Sequence, residues 1–235
     1  MTTWRRKFFP SALAVLPSLI AALAEDAAPF NRDEARAVVA MMEKDPPLLD
    51  LFAVCPADIF RRDAPFWERW LGRNKTKEKG LESKCADNPA HCFALCTQSG
   101  VPEACFHLAI VFQKDEDTVA PRFAEALFSK ACALGHGGGC TNRASYIRNV
   151  ADPDDPLRKR DASAQSLCTF RSFKLDCDAD GAWGCAMLGQ AHRLGESVTQ
   201  NAFLARKFYE KSCTLSPNFV ACDFSKRALK AMTAE

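Results

Sequence analysis

Twelve cysteines punctuate this 235-residue chain, at 55, 85, 92, 96, 105, 132, 140, 168, 177, 185, 213 and 222. Cys96, Cys132, Cys177 and Cys213 are separated by steps of 36, 45 and 36 residues. Cys105, Cys140, Cys185 and Cys222 follow at steps of 35, 45 and 37. Two interleaved ladders with one rhythm define an internal repeat of about 36 residues, one copy of which carries nine extra. Each unit has to bury its apolar face against its neighbours.

The unit reads as two helices. In PEACFHLAIVFQK, Cys105, Leu108, Ala109 and Phe112 fall at i, i+3, i+4 and i+7, one apolar helical face. In FAEALFSKACAL, Ala124, Leu127, Phe128 and Ala131 form a second face. Leu204, Ala205, Phe208, Tyr209 and Ser212 repeat it in NAFLARKFYEKSCTL. No alternating run of β-branched residues suggests a strand. The nine extra residues lie in NVADPDDPLRKRDASA, where Pro153, Pro156 and clustered aspartates read as a surface loop.

In SKACALGHGGGC, Cys132 sits in the last turn of one helix and Cys140 opens the next, with Gly135 and Gly137 to Gly139 forming the turn. An αα-hairpin brings such positions within disulfide reach. The expected pairs are Cys96–Cys105, Cys132–Cys140, Cys177–Cys185 and Cys213–Cys222. Each closes a loop of about nine residues, worth about 2–3 kcal/mol on the chain-entropy model. Cys85 and Cys92 flank ADNPAH and are candidates for an additional clip. Cys168 occupies the apolar position of Phe123 and Leu204 and is expected to be buried, either free or joined to Cys55. A metal reading of Cys132-x3-His136-x3-Cys140 supplies three ligands where structural zinc takes four, and His136 has no counterpart in the other turns. Cys-x-x-Cys is missing, so neither a thioredoxin-like pair nor a haem attachment is expected, and no metal or other cofactor is assigned.

The N-terminus indicates where such cysteines oxidise. Arg5, Arg6 and Lys7 precede a 17-residue apolar run, Phe8 to Ala24, that ends in Ala22-Leu23-Ala24. These are the parts of a secretory signal cleaved between Ala24 and Glu25. The run is short for a transmembrane anchor and contains Pro10 and Pro17, so no stable span is expected after cleavage. An organelle import signal is the remaining alternative. Cleavage removes three of the 31 Lys+Arg and none of the 29 Asp+Glu, leaving 28 against 29 and a net charge of −1. A near-neutral chain has no electrostatic basis for binding nucleic acid.

LGQAHRLGESVTQNAFLARKFYEKSC, Leu188 to Cys213, resembles the Sel-one-like repeat, a relative of the tetratricopeptide repeat. Leu188, Gly189, Gly195, Val198, Ala205, Tyr209, Lys211 and Cys213 match its pattern, while His192, Ser197, Asn201 and Ser212 depart from it. The preceding copy keeps Leu108, Phe112, Val119, Ala126, Lys130, Ala131 and Cys132 but loses the glycines. With one cysteine pair per repeat, the chain is similar to the cysteine-rich Helicobacter proteins and to cysteine-rich cytochrome oxidase assembly factors of the mitochondrial intermembrane space. The resemblance spans about residues 81–235 and implies an all-α, right-handed α/α solenoid of disulfide-clasped helix pairs. It implies an exported scaffold binding a protein or peptide on its concave face, lined by the exposed sides of residues 103–114 and 183–195. Respiratory-complex assembly in the intermembrane space is the alternative. Some of the bacterial proteins carry a β-lactamase label, which makes a weak β-lactam or cell-wall hydrolase a further alternative. No Ser-x-x-Lys is present to place a nucleophile beside its base, so no catalytic residue is assigned.

Residues 25–80 lie outside the resemblance. NRDEARAVVAMMEKD reads as an amphipathic helix with an Asn31/Glu34 N-cap, ended by Pro46-Pro47. LLDLFAVC and DAPFWERWLGR suggest two more helices, with Phe66, Trp67 and Trp70 on one face. The segment is expected to form a helical cap over the first repeat, the alternative being an exposed aromatic contact site.

Intact mass and non-reducing peptide mapping of the exported protein should find a chain starting at Glu25 with the four short-range pairs linked. A retained leader or mostly free thiols would contradict the export reading.

Overall fold

The computed structural model describes residues 30–61, 80–115, 117–150 and 152–233. The leader, its Ala24/Glu25 junction and the Phe66, Trp67 and Trp70 face lie outside them. The described chain is all-helical, with no strand among the described residues. The helices are α1 (Arg32–Met42), α2 (Pro46–Asp50), α3 (Pro56–Ile59), α4 (Leu81–Asp87), α5 (Pro89–Thr97) and α6 (Pro102–Gln113). They continue as α7 (Pro121–Ala133), α8 (Gly137–Asn149), α9 (Ala162–Asp178), α10 (Ala182–Leu194), α11 (Ala202–Leu215) and α12 (Val220–Met232). A 3-10 turn, Leu51–Ala53, separates α2 from α3.

Local chemistry starts and stops these helices. The side chains of Asn31, Asp45, Asn88, Asp161 and Asn201 each accept a hydrogen bond from a backbone N–H in the first turn. Pro46, Pro89, Pro102 and Pro121 stand at or next to the first helical position, where a missing N–H costs nothing. Gly195, at φ 74°, ends α10 in the left-handed conformation.

From α4 onward, each helix packs on the one before it. The pairs are α4/α5, α6/α7, α8/α9 and α10/α11, with α12 resting on both α10 and α11. Cys96, Cys132, Cys177 and Cys213 stand at or near the end of a second helix and bond Cys105, Cys140, Cys185 and Cys222 of the following first helix. Their Cα–Cα distances are 4.7, 4.8, 4.6 and 4.4 Å. Cys85–Cys92 instead joins α4 to α5 within one pair.

This close approach selects a small residue beside each clip. The residues preceding the second cysteines are Ala104, Gly139, Gly184 and Ala221, all buried. A Cβ on Gly139 would lie 2.7 Å from the Phe128 carbonyl oxygen, and one on Gly184 2.7 Å from that of Phe173. Backbone meets backbone here, leaving no flexible side chain to yield.

The N-terminal segment lies differently from the expected cap. Its described part, residues 30–61, is not confined to the first helix pair. α1 packs on α5, α2 and the 3-10 turn on α7, and α3 on α7, α8 and α9, so the segment runs as a strap along three successive helix pairs. Ala35, Val38, Met42 and Leu48 enter the same core cluster as Leu81, Phe112 and Leu127. Exposed ion pairs Arg32–Asp115, Arg122–Glu43 and Arg171–Asp58 flank the strap, each weak by itself. Near its far end Cys55 is bonded to Cys168 of α9, across a sequence separation of 113. The 150–161 region also departs from a plain surface loop. Asp155 and Leu157 are buried because the fully buried Arg143 requires a counter-charge from this segment.

Removing the long-range cross-link with Cys55→Ser/Cys168→Ser should lower stability by up to about 4–5 kcal/mol. Amide exchange should accelerate in α1–α3 and much less in α10–α12. Unchanged exchange in the strap would contradict this account of its anchoring.

Candidate functional site

The first helices carry the surface with most chemical variety. In α6, Ala104, Cys105, Leu108, Ala109, Val111 and Phe112 are buried, and Glu103, Phe106, His107 and Ile110 are half-buried. In α8 the half-buried positions include Gly138, Asn142, Ser145 and Arg148, and in α10 they are Trp183, Gln190 and Arg193. Spacings of three, four and seven place these residues on one stripe of each helix. The faces expected from 103–114 and 183–195 are therefore narrow stripes, and α8 contributes a third that the sequence reading did not name.

Aromatic stacking shapes the α6/α8 part of the stripe. The Phe106 ring stacks on His136 with centroids 4.4 Å apart, and His107 meets Phe106 edge-on. His136 Nδ1 accepts the Gly139 N–H at 3.2 Å, so the ring caps its own helix. Burial pushes its pKa down to about 4, which leaves the imidazole neutral. Cys132 and Cys140 are bonded to each other. Among the described residues no group of three or more His, Cys, Asp or Glu is placed to hold a metal ion.

On α8 and α10, Arg148 donates to Glu196 at 2.7 Å. His192 stacks on Phe208 with centroids 5.4 Å apart, and burial lowers its pKa. Asp176, beside the Cys177–Cys185 clip, accepts from the Thr141 hydroxyl at 2.8 Å and the Gly184 N–H at 2.9 Å. It ties α8 and the first turn of α10 to the end of α9. Burial raises its pKa in spite of these bonds.

The most concentrated electrostatics lie in the interior. Arg143 of α8 donates two hydrogen bonds to Asp155, at 2.6 and 2.7 Å, and one to the Phe52 carbonyl at 2.7 Å. Its guanidinium stacks on the Phe52 ring 4.3 Å from the centroid, and Glu125 Oε2 stands 3.7 Å from Nη1. Tyr146 donates to Asp152 at 2.8 Å. Two buried carboxyls thus face one cation, and Asp155 holds the better geometry. Burial drives the Glu125 pKa to about 8, against the attraction of Arg143, so at neutral pH this carboxyl holds its proton. Glu125, Arg143 and Asp155 are 1%, 0% and 0% exposed. These buried groups join α7, α8, the 150–161 segment and the strap. Arg143 was not singled out from the sequence, although its position between Cys140 and Ile147 on an apolar face was a usable signal.

No protein-family model, curated protein or solved structure matches the chain. No described helix is long and apolar enough to cross a membrane. Six disulfides belong in an oxidising compartment.

Glu125 makes stability depend on pH. Its folded pKa is raised from 4.5 to about 8, so the native state holds a proton that the unfolded chain releases. Its contribution is full below about pH 4.5 and declines as pH rises through 8. In guanidinium unfolding at pH 5, 7 and 9, Glu125→Gln should flatten this decline and gain on the natural chain by about 1–3 kcal/mol. Parallel pH profiles for the two proteins would contradict the assignment.

Proposed function

We propose that the chain is an exported scaffold of the Sel-one-like kind, a right-handed solenoid of helix pairs that binds a protein or peptide along its first helices. The observation that carries this reading is the recurrence of one junction. Four times a second helix is clipped to the next first helix at nearly the same Cα separation, 4.4 to 4.8 Å. A junction that recurs between successive pairs is the kind of unit from which a superhelix with a continuous face is built.

The half-buried stripes of α6, α8 and α10 supply aromatic, amide and guanidinium groups, a composition suited to an extended polypeptide. Their clipped backbones are ordered before a ligand arrives, which reduces the entropy lost on binding. The leader pattern and the six disulfides support a secreted or periplasmic address. The same disulfides are compatible with the intermembrane space, where the scaffold would serve respiratory-complex assembly. Localisation of the tagged full chain separates the two.

The binding reading is tested by selecting peptides from a displayed library against the oxidised protein. Ser145→Arg and Gln190→Arg, which place bulky cations on the stripe, should each weaken the selected peptides by about tenfold. Lys174→Glu, on the exposed side of α9, should leave them unchanged. Peptides that bind all three variants equally would move the binding surface away from the first helices.

A further inference from the structure

We propose that the exposed side of the C-terminal hairpin, α11 and α12, docks on an anionic phospholipid surface. Arg206, Lys207, Lys226, Arg227 and Lys230 are all exposed, and none makes an ion pair or side-chain hydrogen bond among the described residues. Lys211, the remaining cation of the two helices, is held by the Cys177 carbonyl at 2.8 Å. The only acids on these helices are Glu210 and Asp223.

The hairpin gathers the free cations at one level. Cys213 and Cys222 face each other with Cα atoms 4.4 Å apart, so positions before 213 lie level with positions equally far beyond 222. Lys226, Arg227 and Lys230 then stand opposite residues 209, 208 and 205, alongside Arg206 and Lys207. At 1.5 Å per residue the five charges span about 6 Å along the axis. Glu210 and Asp223 lie on the disulfide side of this band. Phe203 lies on the other side and is 75% exposed, the most exposed large apolar side chain described.

A polar outer face on a terminal helix pair keeps a repeat array from associating, but that role is served by mixed charges without an exposed aromatic ring. Unpaired cations of one sign beside a phenylalanine fit a headgroup layer, where phosphates neutralise the charges and the ring enters the acyl boundary. Here long, unheld side chains lie on a two-helix surface, which suits a fluid array of phosphates. None of the first-helix stripe residues is used.

The test is sedimentation of the full oxidised chain with phosphatidylcholine vesicles, with and without about 30 mol% phosphatidylglycerol, in about 50 mM and about 500 mM salt. Binding is expected only with phosphatidylglycerol and only at low salt. Arg206→Glu/Lys207→Glu and Arg227→Glu/Lys230→Glu should each weaken it at least about tenfold, and Phe203→Ser by about threefold. Circular dichroism and an unchanged disulfide map check that the variants are folded. Failure to sediment with anionic vesicles at low salt, or indifference to charge reversal, overturns the proposal. So does salt-insensitive binding to neutral vesicles, which marks insertion through the N-terminal apolar run. Preference for polyglutamate over vesicles also overturns it and assigns the surface to an acidic protein.

Discussion

The approach of each second helix to the following first helix sets the terms for the rest of the structure. At the four junctions the bonded Cα atoms are 4.4 to 4.8 Å apart, closer than ordinary side chains permit. Small residues, Ala104, Gly139, Gly184 and Ala221, stand beside the clips, and a Cβ at Gly139 or Gly184 would run into the facing backbone. An array of thin layers buries less per residue than one large core, so cross-links carry a larger share of its stability. The same junction recurs between successive helix pairs, and the proposed binding face rests on that recurrence.

A second constraint acts across the repeats. The strap from Phe30 to Arg61 lies along three helix pairs and is bolted to α9 by Cys55–Cys168. Arg143 reinforces it from inside through the Phe52 carbonyl, while Asp155 neutralises the guanidinium. Removing either partner of this buried pair would strand a charge, whereas an apolar core of the same volume would need neither. The node is specific in what it joins: two helices, an insertion and the strap meet at one side chain. Glu125 remains protonated beside it because burial disfavours its charged form, with repulsion from Asp155 adding to the effect.

Much of this was legible from the cysteines alone. Their rhythm located the helix ends, and the faces read from Cys105 to Phe112 and from Ala124 to Ala131 are buried. Local periodicity carries such information because neighbouring turns of one helix decide it. The path of the strap was not legible, since α1 has the same amphipathic pattern whether it closes an end or lies lengthwise. The insertion was misread for a related reason. Asp155 resembles its half-buried and exposed neighbours, Asp152 and Asp154, in composition, and only its partner on another helix puts it inside. Arg143 showed the opposite signal, a charge within an apolar face, and that mismatch marked a buried pair. The direction of the C-terminal cations emerged only when the Cys213–Cys222 junction set the two helices in register.

The most direct measurement is guanidinium unfolding of the oxidised chain beside the same chain reduced and alkylated, followed by near-UV and far-UV circular dichroism. The account predicts a cooperative transition for the oxidised protein, and for the reduced protein loss of the near-UV signal with a broad or absent transition. A reduced chain that keeps its near-UV signal and unfolds cooperatively at the same midpoint would contradict the claim that the clipped junctions hold this fold together.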